Sequence, residues 1–369
     1  MVSENHVSVA IIGGGVARLT LANIPEQSGI SFILWKAHDR ISPPAGASVG
    51  LMPNGMRILD QIGIHDALEE YIVPHDFWEH RDADGSFAVG REIEAATPGM
   101  KQPADYKGRL RLRHLHLGPP APARPKLHDL PTDASLVLFV GMNGTIFWFT
   151  MEDLKKTIPY GQTPRYSDAD IDAAFAKVAS ARIAADVTFA DVFSKRCAAV
   201  MTALQEGVAA RWFAGRMALM GDAAHKMVRH AAMGANQAME SAACFANRLF
   251  ELRAKLDGGD GAASGDLPPL IAPDMVQQCL EEYTERRRAR VTEIVQAAGA
   301  SCGAQLKKGD AAREYIDALP RLGNEVLLEK SLDSLLKAEK IDGWAEDSDH
   351  VHHYSLPTQR GGGTALANL

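Results

Sequence analysis

Two short apolar runs near the amino terminus are separated by a segment with helical periodicity. Val7 to Ile12 is mostly β-branched and uncharged, which is typical of a strand buried on both faces of a parallel sheet. Apolar residues recur at helical spacing from Ala17 to Gln27, and the stretch from Pro25 to Gly29 predicts the end of that helix. Ile30 to Trp35 predicts a second strand. The pattern indicates a βαβ unit.

The middle of the chain contains short apolar segments that indicate antiparallel sheet. Ahead of them, Asn54 to Leu68 has an amphipathic helical pattern that is broken near Gly63. Asp84-Gly85 predicts the turn of one hairpin. Asn143-Gly144, within the apolar stretch 136–150, predicts a second tight turn because these residues adopt the positive φ angles that such turns need.

The carboxyl-terminal half is predicted to be mainly helical, with one short buried strand. Helical patterns run from Asp168 to Ala181, from Gln237 to Leu256, and from a cap at Asp274 to near Ala300. Arg216 to Met220 predicts a buried strand that leads into Gly221-Asp222.

Three segments stand out by composition. The proline-rich stretch 118–125 predicts a linker, because proline removes amide donors. We assign the charge run Glu285 to Arg290 to a solvated helix face rather than to a phosphate-binding patch. We assign the histidines within 350–353 to a polar tail rather than to a metal site.

Composition narrows the class of protein. The 369 residues are 46% hydrophobic and carry a formal net charge of -7, so neither nucleic acid nor an anionic membrane surface is an expected partner. The cysteines have no zinc-site spacing and are expected to be reduced thiols. No secretory leader or membrane-spanning run is recognised. A cytoplasmic location is expected, and a peripheral membrane contact stays open.

Gly13, Gly14 and Gly15 lie between the first predicted strand and helix. In such a turn the backbone approaches a pyrophosphate closely and helix-terminal amides point at it, although a glycine turn without a ligand is the alternative. Arg18 stands at the third glycine position of the dinucleotide-binding pattern. We expect its side chain to displace the helix or to point outward.

Lys36 and Asp222 follow the two predicted strands that lead into this region. Lys36 stands where an acidic residue normally accepts hydrogen bonds from a ribose, and its ammonium group only donates. It suits a 2′-phosphate, and Asp39 is an alternative acceptor. The carboxylate of Asp222, at the carboxyl edge of a sheet, can accept bonds from a ribityl chain or cap a helix.

Taken together, these motifs resemble the FAD-dependent aromatic-hydroxylase-like monooxygenases, and within them the fungal branch that epoxidises or hydroxylates terpenoid and meroterpenoid substrates. The resemblance covers most of residues 7–250 and rests on the segments VAIIGGGVARLTLA, GASVGLMPNGMRILDQIG, VGMNGTIFWF, DVTFADVF, RWFAGRMALMGDAAHKM and GANQAMESAA.

The resemblance implies a cofactor, a reaction and a set of site residues. FAD is the implied cofactor, NADPH or NADH the reductant, and a hydrophobic small molecule and O₂ the substrates. The implied roles are pyrophosphate contacts at Gly13 and Gly15, a ribityl contact at Asp222 and a flavin contact at Arg113. Backbone amides from Gly234 through Ala235 to Asn236 would face the reduced flavin.

The implied fold is α/β, with a Rossmann-like FAD-binding domain, an inserted antiparallel-sheet substrate domain and carboxyl-terminal helices. We assign 1–117 and 206–256 to the FAD-binding domain, 118–205 to a linker and shortened sheet domain, and 257–369 to a linker, helices and a tail. Alternate residues among Phe139, Phe147, Trp148 and Phe149 are expected to line the substrate side, and at least half of the four to pack in the core.

The chain also departs from the family pattern. Besides Arg18 and Lys36, Arg229 replaces a proline, Met233 and Ala235 are expected to crowd the turn beside the flavin, and a family segment is missing between Leu117 and Leu136. Three alternatives stay open: a flavin-free member that acts as a binding or cyclisation scaffold, a truncated monooxygenase, and an NADP-dependent reductase.

Overall fold

The structure is a computed structural model, and it describes residues 7–37, 49–69, 71, 75–81, 87–92, 110–117, 134–140, 144–159, 161–184, 186–258, 271–306, 308–310, 314 and 337–345. Five features of the sequence lie wholly or partly outside these residues. They are Asp39, the Asp84-Gly85 turn, the linker 118–125, the Asn143-Gly144 turn, of which only Gly144 is described, and the histidines of 350–353.

The amino-terminal segment forms the predicted βαβ unit. β1 (Val9–Ile12) and β2 (Phe32–Trp35) are parallel, and α1 (Val16–Ser28) connects them. The predicted helix end between Pro25 and Gly29 is confirmed, since α1 continues through Pro25 and ends at Ser28, before a left-handed Gly29. The amide of Gly29 donates to the Pro25 carbonyl, so the last turn closes although one donor is lost.

The β1–β2 sheet is less buried than the sequence predicts. Within the described residues β1 and β2 pair only with each other, and of the four β1 residues only Ile11 is buried. Ile12 and Trp35 at the strand ends are 60% and 56% exposed. The prediction of a strand buried on both faces is therefore wrong, because no described strand extends the sheet.

A broken helix connects this unit to a larger sheet. α2 (Pro53–Gln61) and α3 (His65–Glu69) are separated at Gly63, whose φ of 74° confirms the predicted break. The five sheet strands are β3 (His75–Arg81), β4 (Phe87–Glu92), β5 (Leu110–Leu117), β6 (Ala134–Val140) and β7 (Ile146–Glu152).

The five strands lie in the order β4-β3-β5-β6-β7. Both predicted hairpins are present, since β3 pairs antiparallel with β4 and β6 antiparallel with β7. The expectation of a purely antiparallel sheet is wrong, because β3 and β5 pair in parallel. The sheet also spans 75–152, on both sides of the boundary expected after residue 117.

One face of the sheet packs against two short helices, α4 (Asp168–Ala176) and α5 (Phe189–Ser194). Trp148 of β7 lies in this layer, with its ring centroid 5.2 Å from that of Phe189 and 5.6 Å from that of Phe193. α4 ends five residues before the predicted Ala181, because Val178 and Ala181 turn into the same core. The hairpin of β8 (Arg182–Ala184) and β9 (Val187–Thr188) follows.

Two small hairpins and two long helices complete the described chain. β10 (Gly207–Val208) pairs with β13 (His225–Lys226), and β11 (Phe213–Ala214) with β12 (Met217–Ala218). α6 (Gly234–Asp257) and α7 (Pro273–Gln305) follow.

Two predictions fail in this region. Arg216 to Met220 is not a buried strand, since only Met217–Ala218 is strand and Met217 is 73% exposed. The alternation of apolar residues there matches a short hairpin with β11. Asp274 does not cap α7, because the helix starts after Ala272 with proline in its first turn.

A buried charge cluster joins α6 to α7. Glu240 and Arg287 are fully buried, with 3.0 Å between Oε2 and Nη1, and Arg290 donates to the same carboxylate at 2.7 Å and 2.9 Å. Asn54 of α2 also donates to Glu240, at 2.6 Å. The assignment of Glu285–Arg290 to a solvated helix face is therefore wrong for Arg287 and Arg290.

Residues 337–345 lie across α2, α6 and α7. The Gln61 side chain donates to the Ile341 carbonyl and accepts from the Ile341 amide, both at 2.8 Å. The side chain of Asn247 in α6 donates to the Lys340 carbonyl at 2.8 Å and accepts from the Asp342 amide at 3.0 Å. Arg286 of α7 forms an ion pair with Glu339 at 2.7 Å. Glu339 and Ile341 are buried, so these two residues anchor the segment to the core.

Candidate functional site

The glycine turn leaves the amino-terminal end of α1 without a cap. Gly13 has a φ of 110°, and its amide donates to the Trp35 carbonyl at 2.6 Å, which ties the turn to the end of β2. Gly15 is the extended residue before the helix, and no side chain caps α1. The first turn of α1 contains no acidic residue. Amides at an uncapped helix start suit an anion.

Arg18 lies along this turn. Its Nε is 3.3 Å from the position that a Cβ atom would take on Gly13, and one terminal nitrogen is 3.7 Å from the equivalent position on Gly15. Its neighbours Ala17 and Leu21 are buried. The side chain is half-buried and turns back toward the glycines rather than pointing outward, and a displacement of the helix by Arg18 stays a prediction.

Lys36 follows β2 at the same edge as the glycine turn. Its predecessor Trp35 is paired in register with Ile12 and accepts the bond from Gly13. Lys36 is half-buried there. The structure thus brings Lys36 next to the glycine turn, and its contact with a nucleotide stays a prediction.

The second predicted segment converges on the first. Gly221 begins a short 3-10 helix, Gly221–Ala223, with a φ of 61°. A Cβ atom on Gly221 would lie 3.2 Å from the Cβ of Ala17 and 3.7 Å from that of Ala238. Gly221 therefore packs between the beginnings of α1 and α6. Asp222 comes next and is exposed, so its carboxylate is accessible beside the start of α1.

The start of α6 supplies a second set of helix-terminal amides. Gly234 and Ala235 are half-buried, and no described atom lies within 4 Å of a Cβ position on Gly234. Asn236 is fully buried, and its side chain donates to the carbonyls of Gly50 and Ala232 at 2.9 Å and 2.8 Å. It also accepts from the Met52 amide at 3.0 Å. The side chain of Asn236 therefore has a structural role, and only its backbone N–H is considered as a donor at the helix start.

The turn before α6 contains a strained residue that the sequence did not indicate. Ala232 has a φ of 50°, in the left-handed region that disfavours residues with a Cβ atom. A Cβ atom on Gly50 would lie 3.0 Å from the Ala232 Cβ. The close contact in this turn is thus made by Ala232, whereas Met233 and Ala235, which were expected to crowd it, are half-buried.

The same turn reaches the second face of the sheet. The guanidinium of Arg229 stacks on the ring of Phe149, 4.7 Å from its centroid. Phe149 also makes an edge contact with Phe139, at 5.9 Å, and Phe139 pairs in register with Phe147. These three phenylalanines lie on the face opposite Trp148, so the aromatic face of the sheet meets the segment that leads into α6.

One buried and one half-buried histidine accompany these elements, and the sequence indicated a role for neither. Burial lowers the pKa of His225 to about 4, helped by the charge of Arg287, and its Nε2 lies 2.9 Å from Ser241 Oγ. Burial also lowers the pKa of His230 to about 4. Among the described residues, neither ring nitrogen of His230 has a hydrogen-bond partner. Both imidazoles are neutral at pH 7.

Arg113 lies in the middle of the five-stranded sheet. Its backbone pairs with Glu79 of β3 and Leu138 of β6, while its side chain lies outside the described part of the chain. Its predicted flavin contact therefore stays a prediction. Across the described residues, we find no cluster of acidic, histidine or cysteine side chains suited to a metal ion. In the same part of the chain, no helix combines the length and apolar character of a membrane span.

The residues around the glycine turn suit a dinucleotide. An uncapped helix start, a guanidinium and an accessible carboxylate lie together, and Gly221 allows the two backbone segments to approach closely. A diphosphate can accept hydrogen bonds from the helix-start amides and from the guanidinium, and sugar hydroxyl groups can donate to the carboxylate. Lys36 fits less well, since it supplies no acceptor for a ribose.

Comparisons with known proteins agree with this geometry. The model of a family described as FAD binding domain matches residues 6–128 and 153–258. The FAD-dependent monooxygenase penM of Penicillium crustosum is 26% identical over 369 aligned positions, which cover 79% of this chain and 77% of that protein. The FAD-dependent monooxygenase prhF of Penicillium brasilianum is 26% identical over 430 positions, which cover 92% and 87%.

A solved structure shows the same general fold. Klebsiella pneumoniae HpxO, complexed with FAD and uric acid, superimposes with a TM-score of 0.61 at 15% identity, covering 91% of this chain and 98% of that one. The family match contains both convergent segments, the glycine turn and Gly221-Asp222. The chain therefore belongs to the FAD binding domain family and is a FAD-dependent monooxygenase.

Proposed function

We propose that this monooxygenase hydroxylates or epoxidises a hydrophobic secondary metabolite of the terpenoid or meroterpenoid class, with NADPH or NADH as reductant. One observation carries the proposal. The glycine turn, the Gly221-Asp222 turn and the start of α6 meet near an aromatic sheet face. Bound FAD supplies the chemistry, since it is reduced by NAD(P)H and transfers one oxygen atom of O₂. The chain's own residues bind FAD and the substrate, orient them and exclude water.

The proposed FAD contacts run along the convergent segments. Gly13, Gly15 and the first amides of α1 bind the pyrophosphate, and Asp222 accepts hydrogen bonds from the ribityl hydroxyl groups. Lys36 lies on the adenosine side. At the other end, the amides of Gly234, Ala235 and Asn236 stabilise negative charge on the flavin ring system, because the amino-terminal end of a helix is positive. Arg113 is a further proposed flavin contact.

The substrate is proposed to bind between α6 and the five-stranded sheet. Phe139, Phe147 and Phe149 form an apolar surface, and Arg229 packs over its edge. Such a surface favours a flat apolar molecule and excludes water from the site of oxygen transfer. His230, which is neutral and half-buried, adds no charge that would repel an apolar substrate.

The domain organisation follows from the sheet. We propose a FAD-binding domain formed by the amino-terminal residues through α3 together with 206–256, and a substrate domain that starts near residue 75. The alignment with prhF extends over 430 positions, whereas this chain has 369 residues, so this chain lacks residues that prhF has. We propose that the shortening lies in the middle segment. A cytoplasmic location remains part of the proposal.

FAD titration of the purified protein tests the proposed cofactor site. FAD binding should quench flavin fluorescence and raise the unfolding temperature. Asp222→Ala should weaken FAD binding about tenfold, because one hydrogen-bond acceptor is lost. Asp172→Ala, an exposed carboxylate on α4, is the matched control and should bind as the unmodified protein does. Equal affinity in all three proteins would contradict the site.

Turnover tests the proposed reaction. NADPH and NADH oxidation are measured in air with and without a panel of terpenoid and meroterpenoid substrates, and products are analysed for oxygen derived from ¹⁸O₂. Substrate-stimulated oxidation with incorporation of one labelled oxygen supports the proposal. A colourless protein whose unfolding temperature does not respond to FAD would instead favour the flavin-free scaffold.

A further inference from the structure

Arg18 stands at the third glycine position of the dinucleotide-binding pattern, and its guanidinium lies near the other two glycines, Gly13 and Gly15. Its Nε, Cδ and Cζ atoms lie 3.3, 3.4 and 3.7 Å from the Cβ position of Gly13, and a terminal nitrogen lies 3.7 Å from that of Gly15. The group therefore spans the same two glycines whose backbone is expected to approach the pyrophosphate. Arg18 is half-buried, so part of the guanidinium remains accessible.

Arg18 has no close counter-charge in the described part of the chain. No carboxylate there, including that of Asp222, lies within ion-pair distance of its guanidinium, and the first turn of α1 contains no acidic residue. The helix start itself carries a partial positive charge. The guanidinium beside it adds a second positive charge, and an anion bound between the two would be stabilised by both.

The chemistry of that anion follows from the donors. A guanidinium presents parallel N–H groups that match two oxygens of a phosphate, and the adjacent helix amides add further donors on the same side. We propose that Arg18 is a direct ligand of the FAD diphosphate, replacing the packing role of the missing glycine with a charge-assisted contact. The proposal rests on the placement of the pyrophosphate at the glycine turn.

A role of Arg18 as a steric obstacle to the diphosphate predicts the opposite effect on FAD affinity. If the Arg18 side chain merely fills space that the diphosphate needs, Arg18→Gly will bind FAD more tightly than the unmodified protein. If Arg18 is a ligand, Arg18→Gly and Arg18→Gln will bind FAD about 10- to 100-fold more weakly, because hydrogen bonds to a charged group are lost. Arg18→Lys keeps the charge but not the planar fork, so its FAD affinity should lie between that of the unmodified protein and those of the glycine and glutamine variants.

FAD affinity is measured by fluorescence quenching of the apoprotein, and ADP is tested as a competitor because it shares the diphosphate. The control is Arg165→Gln, an exposed arginine ahead of α4. Raising the NaCl concentration from about 0.05 M to about 0.5 M should weaken binding more in the unmodified protein than in Arg18→Gln, since salt screens the charge. If the glutamine variant does not fold, Arg18→Lys and the salt dependence of the unmodified protein decide.

The outcomes separate this inference from the proposed site. Weaker FAD and ADP binding in the Arg18 variants, with Arg165→Gln unchanged, supports a diphosphate ligand. Unchanged or tighter binding in the Arg18 variants, together with weaker binding in Asp222→Ala, overturns the role of Arg18 and leaves the site intact. Unchanged binding in both sets overturns both.

Discussion

The most demanding prediction concerns the charge of Glu240. Its side chain is fully buried and accepts hydrogen bonds from Arg287, Arg290, Asn54 and Gln237, at 2.6–3.0 Å. Glu240→Gln preserves the shape but leaves two guanidinium groups near a neutral amide. Because Arg287 is fully buried, its uncompensated charge should lower the free energy of unfolding by about 3–5 kcal/mol.

Arg287→Met should cost less than Glu240→Gln, since Glu240 keeps Arg290 as its partner at 2.7 Å. Glu282→Gln is the control, because this partly exposed residue lies 3.8 Å from Arg248 and should contribute only about 0–1 kcal/mol. The free energy of unfolding is measured by urea denaturation at pH 7. A Glu240→Gln effect below about 1 kcal/mol, or a larger effect of Arg287→Met, would refute this reasoning.

The same pair of proteins has a predicted pH dependence. Burial alone raises the pKa of Glu240, but the hydrogen bond from Arg290 and the charge of Arg287 outweigh it, so the net pKa lies below the ordinary value of 4.5. The stabilisation is therefore present above pH 4.5 and is lost as the pH falls through the lower folded-state pKa. The difference between the unmodified protein and Glu240→Gln should shrink under acid. A difference that grows there would contradict the assignment.

Four further changes probe the site and the sheet beside it. Ala232→Gly should raise stability by about 0.5–1 kcal/mol in thermal unfolding, because it removes left-handed strain at a φ of 50°; a lower unfolding temperature would contradict this. Trp148→Ala should cost about 2–4 kcal/mol in urea, as a core residue. Phe149→Leu should instead leave the urea midpoint nearly unchanged and reduce substrate-stimulated NAD(P)H oxidation. The reverse pattern would mean that the face with Phe149 is the core face and the face with Trp148 is the substrate face. Gly221→Val should weaken FAD binding and stability together, since its Cβ would meet Ala17 at 3.2 Å; normal FAD affinity would argue against close approach.

Much of the fold could be predicted where the signal is local. The βαβ unit, the break at Gly63 and the two hairpins each depend on residues within a few positions of one another, and all are present. The expected alternation along β7 is present, since Trp148 packs in the core layer and Phe147 and Phe149 lie on the other face, but one of the four aromatic residues rather than at least half packs in that core. These features follow from strand and turn chemistry that a short window contains.

The failures involve partners far away in the chain. Arg287 was assigned to solvent because a local run of arginines shows no partner, yet Glu240 lies 47 positions earlier. The parallel pairing of β3 with β5 likewise has no local signal. In the site, the sequence identified Gly13, Gly15 and Asp222 as a group but not the conformation of Arg18. That conformation depends on the rotamers of a flexible stem beside two residues without side chains.

The segment 337–345 has a consequence for the order of synthesis and folding. Its backbone is bound by Gln61, which precedes Ile341 by 280 positions. Loop closure over such a distance is slow, and these hydrogen bonds need the backbone of Ile341 itself. A ribosome must therefore have translated beyond residue 345 before α2 reaches its final packing. Nascent chains arrested ahead of that point should remain sensitive to protease around α2, and chains released after it should become resistant.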